Sequence, residues 1–246
     1  MTLIRTLGVA AFCMAGGLVL AQETAPASPL KMSLDLGATL TDGNSDSTKA
    51  NGSLNLQAER ESLGSILAGI QGNYGESEVD GERQTDVENA KAFINAKKTL
   101  TPKAFAYGES SILYDDIAEI DYRLTVGPGA GCYLVKSATD TASVEAGPSY
   151  IWEKVAGVKD DYLALRLASR YEHVFAESAK CWLAAEYLPE AADFGNYLVN
   201  AEAGAEAALN ARMSLKLVVQ DKYDSEPGED LEKNDVLFIG GISVKL

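Results

Sequence analysis

Residues 197–209 read YLVNAEAGAEAAL, and the period of this stretch decides the fold. Tyr197, Val199, Ala201, Ala203, Ala205, Ala207 and Leu209 share one parity, while Asn200, Glu202 and Glu206 share the other. The alanines invite a helix, but at 3.6 residues per turn the glutamates would fall on the apolar stripe. A period of two separates them into one apolar and one polar face, which is a strand. The flanking residues 212–221, RMSLKLVVQD, set Met213, Leu215, Leu217 and Val219 against Arg212, Ser214, Lys216 and Gln220. Near the other end, 31–41 (KMSLDLGATLT) repeats the pattern with Met32, Leu34, Leu36, Ala38 and Leu40 on the apolar side.

Carried along the chain, the same reading predicts about 12 strands: 30–41, 48–60, 63–75, 85–100, 104–114, 122–135, 141–152, 161–174, 180–188, 195–209, 212–223 and 235–246. Most exceed the usual strand length of about 5–6 residues and approach the 9–11 that cross a bilayer at a tilt. Tight connections at 61–62, 101–103, 136–140, 175–179 and 210–211 alternate with longer ones at 42–47, 76–84, 115–121, 153–160, 189–194 and 224–234. An even strand number with short turns at one end and longer loops at the other predicts an all-β fold. The expected fold is a single transmembrane antiparallel up-and-down β-barrel over 30–246. A soluble β-sandwich would use shorter strands and larger apolar residues to fill its core. Closure in lipid accounts for the polar face, which lines the lumen while every backbone group stays paired. Tyr74, Tyr114, Tyr122, Tyr150, Trp152, Tyr162, Tyr187 and Tyr197 fall near strand ends on the longer-loop side, as one interfacial girdle would; Phe175 and Trp182 are the best girdle residues at the turn end. In the last strand Phe238, Gly240, Ile242, Val244 and Leu246 share a face up to the final residue, a C-terminal strand the barrel-assembly machinery would read.

Met1 to Ala21 reads as a secretory signal peptide: Arg5, then an uncharged apolar run from Leu7 to Leu20, then Val19-Leu20-Ala21 before a cleavage at Gln22. The run is shorter than the roughly 20 residues of a spanning helix. Phe12 before Cys13 disfavours lipoprotein processing, and residues 22–29 form a flexible lead-in. Export plus a barrel implies the outer membrane of a Gram-negative-type envelope, with outer-membrane lipid as a partner. Across all 246 residues, 21 Lys and Arg stand against 36 Asp and Glu, a net charge of −15, which argues against nucleic acid. One His and three Cys exclude His- or Cys-rich zinc sites, and no cofactor is expected. Cys132 and Cys181 sit on predicted strands with two others between them, roughly 14 Å apart, and are expected to stay reduced.

The lumen-facing charges by parity include Asp35, Lys91, Lys97, Arg123, Glu145, Arg166, Arg170, Glu172, Glu186, Glu202, Glu206, Arg212 and Lys216. Opposite charges on adjacent strands either pair into a plug or line a narrow ion path. The longer loops carry clustered carboxylates, including Glu76, Glu78, Asp80 and Glu82, and Asp224 to Asp235, offering oxygen ligands to divalent cations such as Ca²⁺ or Mg²⁺. No EF-hand order is present, and solvated loops that keep the cell surface soluble are the plainer account. An enzymatic alternative, a barrel lipase or protease, would need His173 with Ser169 or Ser178; a solvated turn histidine is the plainer reading, and no catalytic residue is assigned. A periplasmic barrel binding an apolar ligand is the other alternative, but its interior would have to be apolar. The run Gly127-Pro128-Gly129-Ala130-Gly131 lacks the Gly-Lys-Ser/Thr of a phosphate loop and reads as a barrel bend.

Three ordered stretches carry a family resemblance. They are Leu36-Gly37 through Thr41-Asp42-Gly43-Asn44-Ser45; Asp121-Tyr122-Arg123 through Gly127–Leu134 to Glu145-Ala146-Gly147-Pro148-Ser149-Tyr150; and Tyr223-Asp224-Ser225-Glu226-Pro227 with Lys233-Asn234-Asp235. Over about 30–246 the chain resembles the family of salt-induced outer-membrane proteins. The resemblance implies an outer-membrane location and expression under salt stress, and it implies no reaction.

Overall fold

A computed structural model describes residues 30–41, 47–60, 63–79, 82–176, 178–228 and 231–246. The expected signal peptide 1–21 and lead-in 22–29 lie outside the described residues. The strands are β1 (Lys31–Thr41), β2 (Ser47–Arg60), β3 (Gly64–Val79), β4 (Glu82–Thr99), β5 (Ala104–Asp115), β6 (Ile120–Lys136), β7 (Asp140–Val155), β8 (Val158–Ala176), β9 (Ala179–Pro189), β10 (Tyr197–Ala208), β11 (Met213–Asp224) and β12 (Asn234–Lys245). Each pairs antiparallel with its chain neighbours, and β12 returns to β1 through Ser33–Lys245 to Leu36–Ile242, closing a barrel of twelve strands.

The parity read from the sequence maps onto the two faces of the wall. Phe105, Tyr107, Ile151, Tyr162 and Trp182 are buried on the inward face, whereas Leu36, Ile70, Ile94, Leu183, Leu217 and Phe238 are exposed on the outward one. Phe238 is 76% exposed while Ile151 is fully buried, an arrangement that only an apolar surrounding makes favourable over so wide a surface.

Two expected loops are strand. The β3–β4 hairpin runs on to Val79 and Glu82, and β7–β8 to Val155 and Val158, so 76–84 and 153–160 are mostly ladder. Charge in these segments hid the alternation, but strands standing clear of a bilayer need no apolar face. Lys154 pairs with Asp121 at 2.5 Å there, and Ala156 and Gly157, with φ of 48° and 78°, make the two-residue turn. Two girdle assignments are corrected: Tyr162 and Trp182 point inward and are buried at 8% and 5% exposure. Tyr171 and Phe175 are the exposed aromatics at the turn end of β8.

Candidate functional site

The lumen holds the chemistry, and glycines shape it. Gly127, Gly129 and Gly131 occupy the inward positions of β6. A Cβ at Gly129 would collide with the Tyr107 ring, and one at Gly131 with the Phe105 ring. Those rings from β5 therefore lie flat across β6, with Lys97 4.7 Å over Phe105 and Arg166 5.1 Å over Tyr107. The glycine run is a seat for aromatic rings as well as an irregularity. Its outward Pro128 faces Pro148, and the β6–β7 pairing skips from Val126–Tyr150 to Ala130–Ala146, because neither proline has an N–H to give.

On that seat sits a buried hub. Arg166 Nε lies 2.5 Å from Glu186 and 2.7 Å from Glu109, and its Nη1 lies 2.9 Å from Glu145. Glu145 also accepts from Lys97 at 2.5 Å, and Glu186 from Asn200 at 3.0 Å. Six strands thus send one group each, and three carboxylates share two cations. Closer to the loop end, ion pairs cross the lumen: Arg123 on β6 bonds Glu153 on β7 and reaches Asp224 on β11 at 3.0 Å, while Lys222 on β11 reaches Asp115 on β5 at 3.1 Å. In the twelve-strand ring β11 stands opposite β5, so these contacts join opposing walls. Ile151, Tyr162, Ala164, Leu188 and Leu198 form a buried apolar cluster on the inward face nearby.

A third group fills the turn half. Asp35 accepts from Lys216 at 2.7 Å and from Ser53 at 3.0 Å. The Trp182 indole donates to Glu202 at 2.6 Å, and Gln220 donates to the same carboxylate at 3.0 Å. Arg170, Lys180 and Lys216 surround the ring at 5.8–5.9 Å, and Gly204 leaves the space it occupies.

Of the charges named from sequence, Asp35, Lys97, Arg123, Glu145, Arg166, Glu186, Glu202 and Lys216 join these networks. Arg170 and Lys180 flank Glu172 at 3.6 and 3.9 Å, and Lys180 pairs with Glu206 at 3.6 Å. Arg212 is a correction: it lies in the β10–β11 turn, where Asn210 accepts from the 212 and 213 amides and starts the strand at Met213. Asp115 and Asp224, expected in acidic loops, end strands with inward side chains. Glu109, Glu153 and Lys222 were missed, although the parity of their own strands marks them as inward. His173 is another correction. It lies within β8, faces outward and bonds Asp140 at 2.8 Å rather than Ser169 or Ser178. Cys132 and Cys181 are both free thiols, on β6 and β9. Among the described residues no three His, Cys, Asp or Glu side chains converge as a metal site.

A closed antiparallel ring of twelve strands, apolar outside and charged inside, is a β-barrel of the outer-membrane class. The chain belongs to the family described as "Protein of unknown function, DUF481", whose model matches residues 34–245. In fold it is similar to the NanC porin, with a TM-score of 0.53 at 7% identity over 88% of this chain and 100% of that one. It is also similar to an outer membrane channel from Pseudomonas putida F1, at 0.51 and 9% over 91% and 97%. The translocator domain of the autotransporter NalP from Neisseria meningitidis gives 0.50 at 10% over 88% and 87%. No curated protein matches the chain.

Proposed function

We propose that the chain is an outer-membrane barrel with a structural or weak-channel role, exported by the signal at 1–21 and inserted by the barrel-assembly machinery through β12. The observation that carries this reading is the set of ion pairs across the lumen: pairs reaching from β5 and β6 to β11 join opposite walls above the Arg166 hub. Porins and channels share the fold, but an ion path through this barrel would need those pairs to part. The charged interior weighs against a carrier of apolar ligands. Divalent cations at the acidic loop end, and a role under salt stress, belong to the same proposal.

Planar-bilayer recording of the refolded mature chain tests it. The account expects rare, small conductance steps, and an Arg123→Ala, Lys222→Ala double variant that opens more often and conducts more. A stable, porin-sized conductance in the unaltered chain, unchanged in the double variant, contradicts it.

A further inference from the structure

At the turn end of the outer face, three adjacent strands set a carboxylate, an imidazole and a thiol in one row. Asp140 on β7 stands directly opposite His173 on β8, and His173 directly opposite Cys181 on β9. Such opposed positions bring Cβ atoms to about 4.5–5.5 Å. His173 Nδ1 lies 2.8 Å from Asp140 Oδ1. An ionised carboxylate can only accept, so Nδ1 carries a proton, and in the neutral imidazole Nε2 is the nitrogen left with a lone pair. The carboxylate is itself fixed: Tyr171 donates to Oδ1 at 2.8 Å and Thr139 to Oδ2 at 2.7 Å. Phe175 packs edge-on against the imidazole, with centroids 4.5 Å apart, and restricts its rotation. Cys132 lies on the same outer face but stands between Ala104 and Val144, with no base opposite it.

We infer that Cys181 is an acyl-acceptor thiol, with His173 as its base and Asp140 as the group that orients the base, and that its acyl donor is a phospholipid ester. The donor follows from position. Tyr171 and Phe175, exposed at 39% and 67%, flank the row as interfacial aromatics do. Cys181 is the third residue of β9 and Asp140 the first of β7, which puts the row at the turn-end rim, where a barrel seated in lipid would meet the ester carbonyls. This choice of donor rests on the membrane reading above. In the step, His173 Nε2 takes the thiol proton and the sulfur attacks the ester carbonyl carbon. A C–S bond forms and the C–O bond to the glycerol breaks. The proton passes from His173 to the glycerol oxygen, so a lysophospholipid leaves and Cys181 carries a thioester.

The thiol is tested first in detergent. N-ethylmaleimide at pH 7 should modify Cys181 about tenfold faster than Cys132 in the same chain, read site by site by mass spectrometry. His173→Ala and Asp140→Asn should bring the Cys181 rate down to the Cys132 rate. Equal rates in the unaltered chain overturn the inference, whatever the variants do. The barrel is then inserted into palmitoyl-oleoyl-phosphatidylcholine vesicles and floated on a density gradient. Floating protein should carry a thioester at Cys181 with an equal amount of lysophosphatidylcholine, both absent from Cys181→Ala. Floating protein without the thioester overturns the donor. Protein that does not float overturns the membrane reading instead; acyl transfer is then read in mixed micelles of the same lipid, where no thioester again overturns the inference.

Discussion

The Arg166 hub and the Arg123–Lys222 crossings are both made of ion pairs inside one barrel, yet they do different mechanical work. The hub draws on β4, β5, β7, β8, β9 and β10, one side of the ring with only glycine-bearing β6 passed over, and its pairs reach across no more than three strand steps. The crossings draw on β5, β6 and β11, which face each other over the lumen. Pairs along an arc stiffen a wall that the backbone ladder holds anyway, whereas pairs across the ring decide whether the two walls can separate. The lesson is that burial sets what a pair contributes to stability, and topology sets what it contributes to gating.

The sharpest way to break that contrast is to remove each centre in turn. Arg166→Met leaves Glu109, Glu145 and Glu186 crowded without their guanidinium and should lose about 3–5 kcal/mol, because breaking a buried pair orphans charge. Urea unfolding of the barrel in vesicles reads this directly. Arg123→Ala should lose less, and its larger signature should be raised open probability in bilayer recordings. If Arg166→Met opened the channel more than Arg123→Ala did, the division between wall and latch would fail.

On the outward face the expected loss is about 2–4 kcal/mol for Leu36→Arg or Ala203→Arg, the cost of a guanidinium at mid-membrane on the lipid side. The inward neighbour Glu202→Gln should be milder, since the amide oxygen can still accept from Trp182 and only the Gln220 bond, made to the other carboxylate oxygen, is lost. Asp35→Asn should not be mild, because it strips Lys216 of its counter-charge in a buried place. Refolding yield and urea midpoints of the four variants rank them.

Gly129→Val sharpens the account of the seat. Its branched side chain would enter the Tyr107 ring and should cost about 1–3 kcal/mol, with partial relief in a Tyr107→Leu background. Independent, additive losses would mean that the ring and the glycine are not fitted to each other. The smallest effect belongs to Arg83→Ala. Its exposed pair with Glu76 at 3.9 Å stands in a protruding hairpin, so stability should move by less than about 0.5 kcal/mol.

The strand order, the closure and the two faces were legible because a period of two survives even where alanine dominates, as in 197–209. Boundaries were less legible where strands outrun the bilayer: Glu76, Glu78 and Lys154 look like loop residues only if every strand is assumed to need an apolar face. The inward charges could be named by parity, but not their partners. Pairing of Arg123 with Asp224, 101 positions apart, depends on barrel closure and not on neighbouring strands. Trp182 was misplaced for a related reason. An aromatic near a strand end resembles a girdle residue until the opposite glycine, Gly204, is known to make room for it inside.

The central claim is that lipid covers one parity and the lumen holds the other. Single cysteines at 199 to 205, in a Cys132→Ser, Cys181→Ser background, would be labelled with a fluorophore in vesicles containing brominated phosphatidylcholine. Quenching should alternate, strong at 199, 201, 203 and 205 with a maximum near 203, and weak at 200, 202 and 204. A flat profile would contradict the barrel in its membrane.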